Sequence, residues 1–191
     1  MENRKLYCEE KMKYIYDIET FAENELDVMK YGKYSPNPLK EKIVCISLLH
    51  VYIDNDPISF HGHEEKEILE NFWKTIQYCD ELIGFCSNSF DWQFIIIRSL
   101  INGVRITVDL NKLKLTDIRE LLYPYNKYMR GGLRSFGEAL NYDIKTVDGS
   151  MMRKYVLNKE WSEVKLHCEE DVKITKLLYI QMKECGIIKD D

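Results

Sequence analysis

The sequence contains no apolar run near the ~20 residues that a membrane-crossing helix needs, and runs such as Phe94 to Ile97 are far shorter. Residues 1–13 are too charged for an export signal, so a cytoplasmic location is expected. The six cysteines, at positions 8, 45, 79, 86, 168 and 185, include no Cys-x-x-Cys pair and no Cys/His spacing suited to zinc. Reduced thiols are therefore expected. No repeat and no low-complexity segment interrupts the chain. Alanine is scarce while lysine, isoleucine and asparagine are plentiful, a bias that hints at an AT-rich genome. The 191 residues are 45% hydrophobic, enough for one full core, and show no composition break. A single domain over 1–191 is expected, with flexible tails at 1–13 and 186–191.

What the chain does have is three acidic islands in order: Asp17-Ile18-Glu19, Phe90-Asp91, and His167-Cys168-Glu169-Glu170-Asp171. Each sits where an apolar segment should continue. In a strand reading Tyr14-Ile15-Tyr16-Asp17-Ile18-Glu19, alternate residues share a face, so both carboxylates project together. Two carboxylates in a low-dielectric site repel and take up protons unless a cation removes that cost. Exposure on an edge strand would explain the pair without a metal, but the first strand of such a sheet is usually central. For Asp91, a place in the first turn of a helix is sufficient explanation by itself. Asp171 is more telling. It falls on a helical apolar stripe through Val164, Cys168, Val172, Thr175, Leu178 and Met182, with His167 one turn earlier on the same side. A local His/Asp pair inside the core is the alternative there. Glu169 and Glu170 read as solvent-facing or minor contributors.

Short-period, β-rich patterning runs from 14 to about 60 and predicts three strands, the second over Ile43 to Ile53 and the third over Pro57 to Phe60. Between the first two, Phe21 to Lys42 holds Gly32, Pro36, Asn37 and Pro38 and reads as a long loop beside the first acidic pair. A helix over 64–79 then leads to a short strand, Glu81 to Phe85, as a crossover to a parallel neighbour. Ser87, Asn88 or Ser89 can cap the next helix, which stops at Asn102-Gly103. Arg105 to Leu110 is expected as the fifth strand, with helices at about 114–122, 133–141 and 160–184. The sum is α/β, a mixed five-stranded sheet flanked by helices.

The net charge of −5 divides unevenly: residues 1–97 hold 10 basic and 18 acidic side chains, and 98–176 hold 15 and 11. Two divalent cations at the acidic site would supply four positive charges locally, so the acidic total does not exclude a polyanionic substrate. Solvated helix faces account for most such charge runs. Tyr123, Tyr125 and Tyr128 interleave with Lys127, Arg130 and Arg134, a mixture able to stack bases and meet phosphates of a single strand, or simply to pack beside Pro124.

Together these residues resemble the 3′–5′ exonucleases of the DEDD type, closest to the stand-alone relatives of the proofreading exonuclease domain of family B DNA polymerases. Asp17-Ile-Glu19 resembles the first motif of that family, and Leu82-Ile-Gly-Phe-Cys-Ser-Asn-Ser-Phe90-Asp91 the second. His167-x-x-x-Asp171 resembles the third, Tyr-x-x-x-Asp, and the stretch from Gly132 through Asp148-Gly149-Ser150 to Trp161 is similar to the segment preceding it. The likeness spans about residues 14–182. It departs in two places: Cys86 stands where the family usually has Asn, and His167 where it usually has Tyr. The His-containing branch uses a spacing of four, which here would put Val172, a residue that cannot ligate, at the metal position.

The resemblance implies a ribonuclease-H-like fold with strand order 3-2-1-4-5 and strand 2 antiparallel. It implies two Mg²⁺ or Mn²⁺ ions held by Asp17, Glu19, Asp91 and Asp171, which activate water and stabilise the leaving 3′ oxygen, with His167 accepting the proton. Substrate contacts are expected at Cys86, Asn88, Phe90, Tyr123, Tyr125, Tyr128, Lys127, Arg130 and Arg134. The implied substrate is single-stranded DNA, favoured over RNA, with a 3′ end, although no reader of the 2′-hydroxyl is identifiable from residue types. Repair, turnover and proofreading in trans, with a separate polymerase or helicase partner, are the roles it opens. Two other readings stand beside it: a decayed nucleic-acid-binding or protein-interaction module on the same fold, and an endonuclease on a related one.

Overall fold

The computed structural model describes residues 11–24, 27, 29–30, 33–124, 131–143 and 151–189. Ten residues, Lys13–Ala22, form strand β1, whose alternation divides two cores. Tyr16 and Ile18 enter one with Ile46, Leu48, Trp73 and Phe94. Ile15 enters the other with Leu49, Ile83, Val172 and Leu178. β1 is central. It pairs antiparallel with β4 (Glu41–His50) and parallel with β6 (Glu81–Gly84), and β5 (Ile58–His61) and β7 (Lys114–Asp117) close the edges. The sheet order β5-β4-β1-β6-β7 is the mixed five-stranded arrangement expected from the sequence.

Helices α1 (Glu65–Thr75) and α2 (Asp91–Ile101) cover one face, and the long α6 (Trp161–Glu184) covers the other. A buried ion pair joins α1 to α2. Glu65 takes a two-pronged contact from Arg98, at 2.7 and 2.6 Å, as well as the Ile43 N–H at 2.7 Å and the Asn102 amide at 2.8 Å. Glu65 and Arg98 are 5% and 6% exposed, so losing one partner strands the other without water. Glu65→Ala is expected to cost roughly 3–5 kcal/mol, read as a lower urea midpoint.

The fifth strand is Lys114–Asp117, paired in parallel with β6, and not the expected 105–110. The earlier stretch alternates because Ile106 and Val108 pack on the first core and the Thr107 hydroxyl donates to the Trp73 carbonyl, but it joins no ladder. Residues 114–117 of the expected helix are therefore strand, and only α3 (Ile118–Leu122) is helical. β4 stops at His50 because the His50 ring nitrogen takes the Tyr52 and Ile53 N–H groups at 3.2 and 3.1 Å. The loop before β4 holds a small ribbon, β2 (Met29–Lys30) with β3 (Lys33–Tyr34). α4 (Leu133–Ala139) falls where expected, whereas α5 (Met152–Leu157) was not anticipated. α5 brings Met152 and Val156 against Val44, Val164 and Cys168. Among the described residues, no helix is long and apolar enough to cross a membrane.

Candidate metal centre

The carboxylates of Asp17 and Glu19 lie on the β1 face that meets α6, and the sheet register slips just past them, between Glu19 and Thr20. The N–H of Ile18, between the two acids, donates to Asp91 Oδ1 at 3.2 Å. Asp91 is the first residue of α2 and 4% exposed, so a helix start is tied directly into the acidic strand. None of Ser87, Asn88 or Ser89 caps α2 with its side chain. Phe90 flanks the helix, and the Ser87 carbonyl accepts from the N–H groups of Phe90 and Trp92.

From the opposite face, α6 supplies His167, Cys168 and Asp171. The stripe expected on this helix is buried as read, from Val164 to Met182. His167 Nδ1 lies 2.7 Å from Glu19 Oε1 and 3.9 Å from Asp171 Oδ2. The Cys168 thiol lies 3.5 Å from Asp17 Oδ2 and 3.4 Å from the Asp17 carbonyl. Two overlapping sets result, Asp17/Glu19/Cys168 and Glu19/His167/Asp171, each with ligand atoms within 4.8 Å of one another. Asp91 belongs to neither set but joins them through Ile18. Glu170, expected on the solvent side, is buried against Lys173. Glu169 accepts from the Ser59 hydroxyl.

The electrostatics record the crowding of these acids. Burial, then the charges of Asp91, Asp171 and Glu19, hold the Asp17 carboxyl well above the usual carboxylate range. Burial pushes Asp91 up to about 8 against the pull of its backbone hydrogen bonds. Asp171 rises to about 6 through burial, tempered by His167. Burial works to lower His167, but the Glu19 hydrogen bond and the Glu19 and Asp171 charges outweigh it and leave the ring raised. One oxygen, Asp171 Oδ1, is buried with no hydrogen-bond partner. Carboxylates that resist ionising beside an unpartnered oxygen are what a hard divalent cation relieves, so the cluster fits a metal ion.

The expected substrate residues are less gathered. Cys86 adopts φ +62°, a region in which Asn is at ease and Cys is strained. Its thiol is pushed by burial to about 11, and its N–H donates to Asp117. The Asn88 side-chain amide donates to Glu120 while its Oδ1 is buried without a hydrogen-bond partner, and Phe90 packs on Phe94 and the first core. Tyr123 stacks near Phe136 with the Arg119 guanidinium 5.5 Å above its ring. It borders a cavity of about 460 Å³ with Cys86, Ser89 and Asp117. Arg134, on α4, is close enough for its charge to be felt at His167 and Asp171. Tyr125, Lys127, Tyr128 and Arg130 lie outside the described residues, as do Asp148, Gly149 and Ser150.

Sequence reasoning missed Cys168 and Asp117. The sequence shows Cys168 as a member of the third acidic island and of the apolar stripe but gives it no role at the site, and it places Asp117 inside a helix that Asp117 in fact caps. An Asp directly before Ile-Arg-Glu-Leu-Leu was the available signal for a helix start.

No family model matches the chain. An uncharacterized protein of Methanocaldococcus jannaschii, MJ0365, is 26% identical over 167 residues, covering 81% of this chain and 93% of its own length. DNA polymerase 2 of Aeropyrum pernix is 24% identical over 85 residues, 43% of this chain and 11% of that protein. The family B DNA polymerase of Pyrobaculum calidifontis superposes with a TM-score of 0.70 at 18% identity, over 93% of this chain and 25% of that one. The chain thus shares its fold with part of a family B DNA polymerase. It spans about a quarter of that solved polymerase but most of the Methanocaldococcus protein.

Proposed function

We propose that the chain is a metal-dependent 3′–5′ exonuclease of single-stranded nucleic acid, with DNA favoured over RNA. The observation that supports this reading is the clustering of Asp17, Glu19, His167, Cys168 and Asp171 between β1 and α6, with Asp91 tied to that strand through the Ile18 N–H, on a fold shared with part of a DNA polymerase. Asp17, Glu19, Asp91 and Asp171 would hold two divalent cations, Mg²⁺ or Mn²⁺. When bound, these supply an activated water and neutralise charge growing at phosphorus. The chain's own residues do the rest. A proton on His167 Nδ1, toward Glu19 2.7 Å away, would leave Nε2 as an acceptor for the proton that water gives up. Arg134 adds positive charge on the same side, where a phosphate would approach. Water adds to the last phosphodiester, the bond from phosphorus to the 3′ oxygen breaks, and a nucleoside 5′-monophosphate leaves.

His167→Ala is expected to lower turnover about 10²–10⁴-fold while changing KM little, because the ring is asked to move a proton rather than bind substrate. Steady-state kinetics on a single-stranded oligonucleotide measure this split, and equal turnover by variant and wild type would remove His167 from the chemistry. The reading itself is tested with linear and circular single strands in Mg²⁺ or Mn²⁺. Degradation of the linear form alone is the expected result. Opening of the circle would make the enzyme an endonuclease, and binding without cleavage would leave a non-catalytic module.

A further inference from the structure

We propose that Asp117, outside the acidic cluster, is a positioning residue that sets Asp91 through the backbone of the loop before it. Only the kinetic consequence of this role rests on the nuclease reading. Asp117 ends β7, is 3% exposed, and stands opposite Gly84 in the parallel ladder, where the chain leaves β6 for the Asp91 loop. Its two oxygens do different work. Oδ1 accepts from Arg119 and Glu120 at 2.9 and 3.3 Å, capping α3, and also from Cys86 at 3.0 Å. Oδ2 accepts from the Asn88 N–H at 3.1 Å.

The loop is thereby held at 86 and 88, on both sides of Ser87. The Ser87 carbonyl in turn receives the Phe90 and Trp92 N–H groups, which flank Asp91. Ser87 is itself 1% exposed and packs so closely on Gly84 that a Cβ there would come within 2.4 Å of the serine Cβ. Asp117, through its bonds to 86 and 88, and Gly84, through its close contact with Ser87, thus both constrain the loop. The loop also holds Cys86 at φ +62°, a conformation its side chain disfavours and the Asp117 hydrogen bond opposes losing. A helix cap alone needs only one of the two oxygens, so the second bond, to Asn88, is the observation that a purely structural role leaves unexplained.

This asymmetry gives a selective probe. Asn caps helices as well as Asp does, so Asp117→Asn can keep its oxygen at Oδ1 for α3 while its amide group faces, and rejects, the Asn88 N–H. The full-length variant is expected to melt within about 3 °C of wild type. Amide hydrogen exchange over residues 88–92, downstream of the lost Oδ2 bond, is expected to rise at least ~10-fold, with β1 unchanged. Mn²⁺ affinity, followed by the paramagnetic resonance of free Mn²⁺ without substrate, is expected to fall about 10- to 100-fold, with kcat falling more than KM rises. Asp117→Ala, which loses the cap as well, should show the same exchange and a clear loss of stability. Unchanged loop exchange in both variants, or faster exchange with Mn²⁺ affinity kept, overturns the proposal. If wild type binds no Mn²⁺, the metal reading fails, whereas the loop exchange still decides whether Asp117 holds the segment that carries Asp91.

Discussion

Asp17→Asn is expected to abolish metal-dependent cleavage and, in the same protein, to stabilise the metal-free fold at mildly alkaline pH. The two effects have one cause. Asp17 is raised by burial and by three neighbouring carboxylates, so each charge it carries in the absence of a cation is unfavourable. The amide is nearly the same size and still offers an oxygen to the Cys168 thiol, so packing is kept while the repulsion goes. A gain on the order of 1–2 kcal/mol is expected, the usual trade between a strained site and stability. On the activity side, a missing ligand forfeits several kcal/mol of charge stabilisation, a loss of about 10³-fold or more. Urea unfolding in EDTA and initial rates in Mg²⁺ or Mn²⁺ measure the pair. An activity loss accompanied by unfolding would instead mark Asp17 as a packing residue.

The second large effect is a stability that falls as pH rises, and that a divalent cation restores. For Asp91 and Asp171 the folded-state values, about 8 and about 6, lie above the ordinary 3.8, so the native state binds more protons than the unfolded chain across that interval. Stability contributed by these groups is therefore present at low pH and lost as pH climbs from about 4 through about 8. His167, raised by Glu19, acts with the same sign: its contribution is present below the unfolded value and lost as pH passes the folded one. Glu81 runs opposite. Burial would raise it, but hydrogen bonds from Lys13 and Thr116 win, so its contribution appears above its unfolded value and is lost as pH falls. In EDTA, maximum stability is expected at mildly acidic pH, with a decline of several kcal/mol by about pH 8.5. Mg²⁺ or Mn²⁺, binding the ionised carboxylates, should remove most of that decline. A pH profile identical with and without metal would contradict the metal assignment.

Much of the site was legible because its chemistry disturbs a periodic pattern. Asp17 and Glu19 break a strand alternation otherwise filled by Ile15, Tyr16 and Ile18, and Asp171 breaks the apolar stripe of α6. What escaped depends on partners far along the chain. Residues 105–110 alternate like a strand, but only a ladder partner makes a strand, and β6 gives its free edge to Lys114–Asp117. The work of Asp117 lies in backbone N–H groups some thirty residues earlier, which no residue type announces. Cys168 looks like any small core residue until the fold turns it onto Asp17. Cys86 and His167, the two departures from the motifs that the sequence resembles, are explained unequally. His167 sits at hydrogen-bond distance from Glu19, while nothing in the structure accounts for Cys rather than Asn at 86.

The central claim is that this acidic junction cuts nucleic acid from its 3′ end. It is tested most directly by incubating a 5′-labelled single-stranded oligonucleotide, as DNA and as RNA, with Mg²⁺, Mn²⁺ or EDTA, beside Asp17→Asn. A metal-dependent ladder that shortens from the 3′ end with wild type, stronger on DNA and absent from the variant, is the predicted result. No cleavage by wild type with either metal, or equal cleavage by the variant, would contradict it.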